Sequence, residues 1–245
     1  MTEPASAVTI ALRIPGQWTG PQDLIERLPA GCKLSHEWLV LPNGVKIDFN
    51  AMPADDQFAE IFRASCRQPP TDGELETALN YQVNVLLSGP GGSLEAARTM
   101  MQAGGAIVRA GGAGVFNDNS GLAHGGEAWL QMAEDGSPDA LSFAFAAIVR
   151  GRTEIWTMGM QVLGLRDIVM KRTDVEEGGF DIIEVIRYLA RGAKPMEDGH
   201  ILADEDGPRF QAFQCAGDPR LAGSPMHNPF GRLKLVSLRD IAGSN

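Results

Sequence analysis

The sequence predicts an α+β protein, with mixed or antiparallel sheets and helices packed on them, and three stretches predict it. A β-rich run over 81–87 passes through a glycine-rich turn, 88–92, into a helical pattern over 93–109. Asn43-Gly44 separates β-rich runs at 34–41 and 45–49, a hairpin signal because both residues tolerate the positive φ of a tight turn. Finally, 180–191 carries the helical stripe Phe180, Ile183, Ile186 and Leu189, with Asp181 and Glu184 early, Arg187 and Arg191 late, and Gly192 after the last turn. That charge order complements the helix dipole, and glycine suits the position just past a helix end.

Within the first stretch, Val83, Val85 and Leu87 alternate with their neighbours as on a strand, whereas Leu94, Ala97, Met101, Gly104 and Val108 share one side of a helix. Ser93 is placed to cap that helix, since its hydroxyl can accept a first-turn N–H. Upstream, 8–14 reads as a strand closed by Pro15-Gly16, and a short helix starts at Pro21, where the missing N–H costs nothing. Helical patterns at 58–66 and 74–79 lead into the strand at 81–87. Strand, helix, strand, strand, helix, strand is the order of the split βαβ, ferredoxin-like motif.

Downstream, 117–126 reads as a loop and 127–133 as a short helix. Residues 134–139 are the expected boundary, combining turn formers and charge with no apolar anchor. The run 141–149 reads as a buried strand, 157–163 as a helical turn and 167–172 as a strand. A turn at 204–207 separates strands at 200–203 and 210–215, 219–231 reads as a loop, and 233–238 as a last strand. The expected organisation is two α/β halves, 1–134 and 139–245, in one compact unit, an arrangement open to two ferredoxin-like halves.

The chain has 245 residues, 44% hydrophobic and 21% charged, the balance of a globular protein with a core to bury. A formal net charge of −10 argues against a general nucleic-acid binder, which needs cationic surface to displace phosphate counterions. No stretch approaches the roughly 20 apolar residues of a membrane helix, and residues 1–6 carry no positive charge of the kind a signal or transit peptide needs. The three cysteines, Cys32, Cys66 and Cys215, are widely spaced and odd in number, as expected of reduced thiols. The expected location is the cytoplasm.

The helix 93–109 with its exit Gly114-Val115-Phe116, and the later run from Trp156 through Thr157, Gly159 and the pair Leu163-Gly164 to Asp167, resemble the bacterial family of domain of unknown function 4261. The shared features are a long small-residue helix ending in Gly-Val-aromatic, then a Thr-x-Gly-hydrophobic segment, a Leu-Gly pair and an acidic residue entering a strand. The resemblance implies the fold over most of the chain and assigns no activity to any residue.

Two stretches contain groups that chemistry could use. Gly91, Gly92 and Ser93 stand between a strand and a helix N-terminus, where free amides favour an anion. A nucleotide loop is excluded there, because no lysine lies between Lys46 and Lys171 and Leu94 occupies the third-glycine position of a dinucleotide fingerprint; the competing reading is a tight structural turn. The second stretch, 117–126, offers Asp118, Asn119, Ser120 and His124, a carboxylate, an amide, a hydroxyl and an imidazole, with Arg166 as a candidate facing them across a cleft. Its competing reading is a surface loop built of ordinary loop residues.

No metal site is expected, since Cys32 and His36, four residues apart on a strand, would be about 13 Å apart. Cys215 reads as a buried strand thiol, and Trp129 as either core or stacking platform. No catalytic residue and no cofactor is assigned. Two functions stand open: a non-catalytic cytoplasmic binding or interaction protein, immunity- or accessory-like and suited by its acidity to a basic partner, or an enzyme or small-ligand receptor with its site near 117–126.

Overall fold

A computed structural model describes residues 8–176, 181–192, 196–203 and 208–242. In chain order the first elements are β1 (Thr9–Gly16), α1 (Pro21–Arg27), β2 (Lys33–Leu34), β3 (Trp38–Val40), β4 (Lys46–Pro53), α2 (Phe58–Ser65), α3 (Asp72–Leu79), β5 (Val83–Pro90), α4 (Leu94–Arg109), β6 (Gly114–Asn117), β7 (Leu122–Gly125), α5 (Gly126–Asp135) and α6 (Pro138–Phe145). There follow β8 (Ala147–Arg150), β9 (Glu154–Met158), a 3-10 turn (Met160–Leu163), β10 (Asp167–Lys171), α7 (Arg172–Glu176), α8 (Ile182–Arg191), β11 (Ile201–Ala203), β12 (Arg209–Cys215), β13 (Arg232–Ser237) and α9 (Leu238–Ala242).

The fold is α+β. One sheet has seven strands in the order β2-β3-β4-β5-β1-β6-β7, all antiparallel, and the other has six in the order β11-β12-β13-β10-β9-β8, where only β10 and β13 run parallel. Neither order is ferredoxin-like. In that motif the first strand lies between the third and fourth, whereas here β5 separates β4 from β1, in register from Thr9 opposite Pro90 to Gly16 opposite Val83. Alternation along a strand reports which face a side chain takes. It says nothing about which strand lies alongside.

The long helix α4 covers the seven-stranded sheet. Ser93 caps it by accepting from the Ala96 amide, and its buried side, including Ala97, Met101, Gly104 and Val108, meets Ile10, Leu12, Ile14, Val85 and Leu87 of the central strands. Trp129 of α5 is fully buried in this core and donates from Nε1 to the Met101 carbonyl at 3.1 Å, so it is core and not an exposed platform. A smaller core of Phe58, Phe62, Ala78, Tyr81, Ala113 and Ala123 holds α2 and α3.

Over the six-stranded sheet lies α8. Asp181 caps it by accepting from the Ile183 amide, and Gly192 ends it in the left-handed conformation. Its buried residues are Ile182, Val185, Ile186, Leu189 and Ala190, so Ile186 and Leu189 of the expected stripe face the core while Ile183 is exposed. Phe180 and the turn expected at 204–207 lie outside the described residues.

The stretch 134–139 holds the end of α5, a two-residue turn at Gly136-Ser137 and the start of α6. Gly136 closes α5 in the left-handed region, Ser137 caps α6 through the Ala140 amide, and Pro138 takes the first helical position. The chain after 139 then runs as helix to Phe145, where a strand was expected over 141–149. A continuous apolar run suits either a buried helix or a buried strand, and Ser137-Pro138 supplied the helix-start signal. Ala140, Leu141, Ala144 and Phe145 join the core of the first sheet, while Asp139 pairs with Arg191 of α8. Packing is therefore continuous across 134–139.

Other expectations shift locally. The strand expected over 34–41 is split into β2 and β3, with His36 exposed in the turn between them and Cys32 half-buried ahead of it. Cys215, at the end of β12, is exposed and not buried. No described helix is long and apolar enough to cross a membrane.

Candidate functional site

Residues 117–126 run from the end of β6 through the turn and β7 to the first residue of α5, and Asn117, Asn119, Ser120 and His124 are buried in the protein. Asn117 is fully buried; its Oδ1 accepts from the Asn119 amide at 3.0 Å, closing a local turn, and its Nδ2 donates to Ser120 Oγ at 3.0 Å. Asn119, 1% exposed, reaches β1 and the loop before β13: Oδ1 accepts from the Ala11 amide at 3.0 Å, and Nδ2 donates to the carbonyls of Thr9 at 2.9 Å and Pro225 at 3.1 Å. Asp118 is the member that faces outward. It receives both of its bonds from Arg13 Nε, at 2.8 and 2.9 Å, and this hydrogen bonding holds the guanidinium above its ordinary pKa.

The second sheet meets the hairpin through the 3-10 turn at Met160–Leu163. Gly159 enters that turn at φ 95°, against the Phe145 carbonyl and Ser120, where a side chain would collide with both. Gln161, fully buried, donates from Nε2 to the Pro225 carbonyl at 3.1 Å and the Asn119 carbonyl at 3.4 Å, while its Oε1 has no partner. Asn119 and Gln161 thus line a cavity of about 340 Å³ together with Val8, Thr9, Ser224 and His227. His227 Nδ1 is a second buried atom without a partner.

His124 lies elsewhere. It is 1% exposed, packed beside Trp129 and Phe143, and its Nε2 approaches the Ala144 carbonyl at 3.2 Å. A carbonyl can only accept, so Nε2 carries the proton. Burial, together with the nearby Arg67 guanidinium, pushes its pKa down to about 3 and keeps the ring neutral. Arg67 stacks on Phe143 at 4.5 Å and donates to the Phe143 carbonyl at 2.8 Å. The imidazole borders a small cavity of about 160 Å³ shared with Glu74 and Glu127. There Glu74 accepts from the amides of Thr71 and Glu127, both at 2.7 Å, so the helix N-termini of α3 and α5 are already served by a carboxylate of the chain itself.

Asp118, His124 and Arg166 do not converge. Asp118 pairs with Arg13, His124 borders the small cavity, and Arg166 borders a third of about 430 Å³ with Leu189 and Phe230. At the glycine turn, the Gly91 amide donates to the Val8 carbonyl at 2.8 Å and the Gly92 amide to the Val162 carbonyl at 3.0 Å, while Ser93 caps α4. Those amides bind the chain itself. Among the described residues no group of three His, Cys, Asp or Glu side chains is placed to hold a metal ion.

One buried carboxyl escaped the sequence reading as a site. Asp167, at the start of β10, accepts from Thr157 Oγ1 at 3.3 Å and from the Met160 amide at 3.4 Å, and burial drives its pKa up to about 7 against the hydrogen bonding of Asn228, Met160 and Thr157. Gln161 was missed as well, although a polar residue inside Met160-Gln161-Val162-Leu163 is a signal worth reading. His227, in a loop of glycine and proline, gave none. No family model, curated protein or solved structure matches the chain.

Proposed function

We propose that the protein is a non-catalytic binding protein whose contact region is the junction of the two sheets, where Asn119 and Gln161 line the 340 Å³ cavity. Asn119 carries the reading: it is 1% exposed and fully hydrogen-bonded, yet it forms part of a cavity wall, an arrangement that fixes a recognition surface rigidly. The groups a catalyst would use are engaged otherwise. His124 is buried and neutral, Asp118 is held by Arg13, and Ser120 Oγ accepts from Asn117. The resemblance to the domain of unknown function 4261 belongs to the same proposal, since its motif over 156–167 contains both Gln161 and Asp167.

Native mass spectrometry of freshly purified protein tests the reading. A stoichiometric, non-covalent companion that is reduced in Gln161→Met is the expected result. A bare chain from every preparation overturns it. A basic protein partner is the second reading, favoured by the net charge of −10, and the mass of the companion separates the two.

A further inference from the structure

The cavity at the sheet junction has a chemical bias that narrows what it can hold. Its volume, about 340 Å³, falls at the small end of the range of roughly 300–1,000 Å³ for small-molecule pockets. Among the described residues its lining contains no aspartate, glutamate, lysine or arginine. An ion seated there would give up part of its hydration without gaining a counter-charge, which is unfavourable. The nearest ion pair on the hairpin, Arg13 with Asp118, is closed on itself.

The hydrogen-bonding groups of the wall are also unbalanced. The side-chain donors of Asn119 and Gln161 are taken by the Thr9 and Pro225 carbonyls. Among the buried side-chain atoms of the described lining, those without a partner are Gln161 Oε1, an acceptor, and the His227 ring nitrogen Nδ1. Leaving a buried carbonyl oxygen without a donor is unfavourable, because its desolvation goes uncompensated. Both atoms are buried, so contact requires rotation of the Gln161 carboxamide or the His227 ring about its terminal bond, where the torsional profile is broad. Val8, Ala11, Pro225 and Pro229 supply apolar wall between these polar points.

Resting on the binding reading above, we infer that this cavity is the site of a small uncharged molecule that presents N–H or O–H donors, of the size of a single-ring amide or a monosaccharide. Gln161 and His227 set its orientation, the apolar wall holds its ring face, and a charged molecule is rejected because nothing in the wall compensates it.

The test is a ¹H–¹⁵N correlation titration of the intact chain with nicotinamide and glucose as uncharged donors, and with acetate and guanidinium as charged controls. Saturable shifts at the side-chain NH₂ signals of Asn119 and Gln161 and the backbone amides of Ser224 and His227, with an uncharged probe only, are expected. Gln161→Met and His227→Phe should each weaken that binding about tenfold or more while the spectrum keeps its native dispersion. Should Gln161→Met fail to fold, His227→Phe, at a half-buried position, decides alone. The inference is overturned if no uncharged probe saturates these signals, or if acetate or guanidinium does. An uncharged probe that saturates a different face also overturns it, and leaves the broader binding reading to be judged by the mass of the purified complex.

Discussion

Asn119 stands against Ala11 as a strand residue would, with a side chain in place of a backbone. Its Oδ1 accepts from the Ala11 amide at 3.0 Å and its Nδ2 returns a bond to the Thr9 carbonyl at 2.9 Å, continuing the ladder beyond the last β1–β6 pairs at Leu12 and Arg13. The backbone makes one more bond to β1, from the Asp118 amide to the Ala11 carbonyl at 3.0 Å, and then turns away, and the carboxamide carries the sheet edge further. Because the same Nδ2 also reaches Pro225, one side chain ties β1, the β6–β7 hairpin and the loop before β13 together.

Asn119→Ala should therefore destabilise the fold by about 2–4 kcal/mol, since it strands the Ala11 amide and removes a donor from two carbonyls. Urea unfolding measures this directly. Asn119→Asp should cost at least as much near neutral pH, where an ionised oxygen faces the Thr9 and Pro225 carbonyls, and less in acid, where the protonated group again donates. A loss under 0.5 kcal/mol, on the order of an ordinary surface substitution, would mean these bonds are replaced by water at no cost.

Glu74 caps two helices at once. Its Oε2 accepts from the Thr71 amide in a capping box, and its Oε1 accepts from the Glu127 amide at the start of α5, which has no capping side chain of its own. Glu74→Ala should cost about 2 kcal/mol and Glu74→Gln roughly half as much, because the amide keeps one acceptor. Gly125→Ala should act on the same contact, as its Cβ would lie 2.5 Å from Glu74 Oε2. Thermal melts of the single variants and of Glu74→Ala combined with Gly125→Ala check the shared cause: the double variant should lose less than the sum.

What the sequence made legible is local. Ser93, Pro21, Asp181 and Gly192 signal helix ends within one turn of chain, and each stands where those rules place it. The Asn43-Gly44 turn does join two antiparallel strands. Strand order was not legible, because Val83 and Leu87 report a period and not a neighbour. Nor was the site: Asn119 has the composition of any turn, and its burial is set by Thr9 and Pro225, 110 and 106 positions away. Asp167 looked like a residue entering a strand, and only the packing of Thr157 and Asn228 around it shows a buried carboxyl.

The thiols offer an inexpensive check on burial. Cys215 is exposed, whereas Cys66 is half-buried and desolvation pushes its thiol up to about 11. At neutral pH a cysteine thiolate attacks a disulfide reagent and expels its other half, so Cys215 should react first in the native chain and Cys66 last, with all three equal after denaturation. Peptide mapping after a short pulse of reagent assigns the order. Rapid modification of Cys66 in the native state would contradict its packing beside the bridge to Ala123.

Asp167 should make stability fall as pH rises. Its folded pKa, about 7, lies above the unfolded value near 3.8, so between these limits the native state holds a proton that the unfolded chain has released. The stabilisation is complete below the unfolded value and is lost as pH rises through the folded one. A difference of this size corresponds to something on the order of 4 kcal/mol across the window. Arg232, opposite Asp167 on β13, is the cation that limits the effect by favouring the charged form. Asp167→Asn keeps a neutral group of the same shape and should flatten the curve, so that the variant gains on the wild type as pH rises from about 4 to about 7 and matches it in stronger acid. Unfolding free energies of the two proteins, taken in parallel across that range, give the difference in which other titrating groups cancel. A difference independent of pH would show that the carboxyl is ionised throughout, with Arg232 and the Thr157 hydroxyl outweighing its burial.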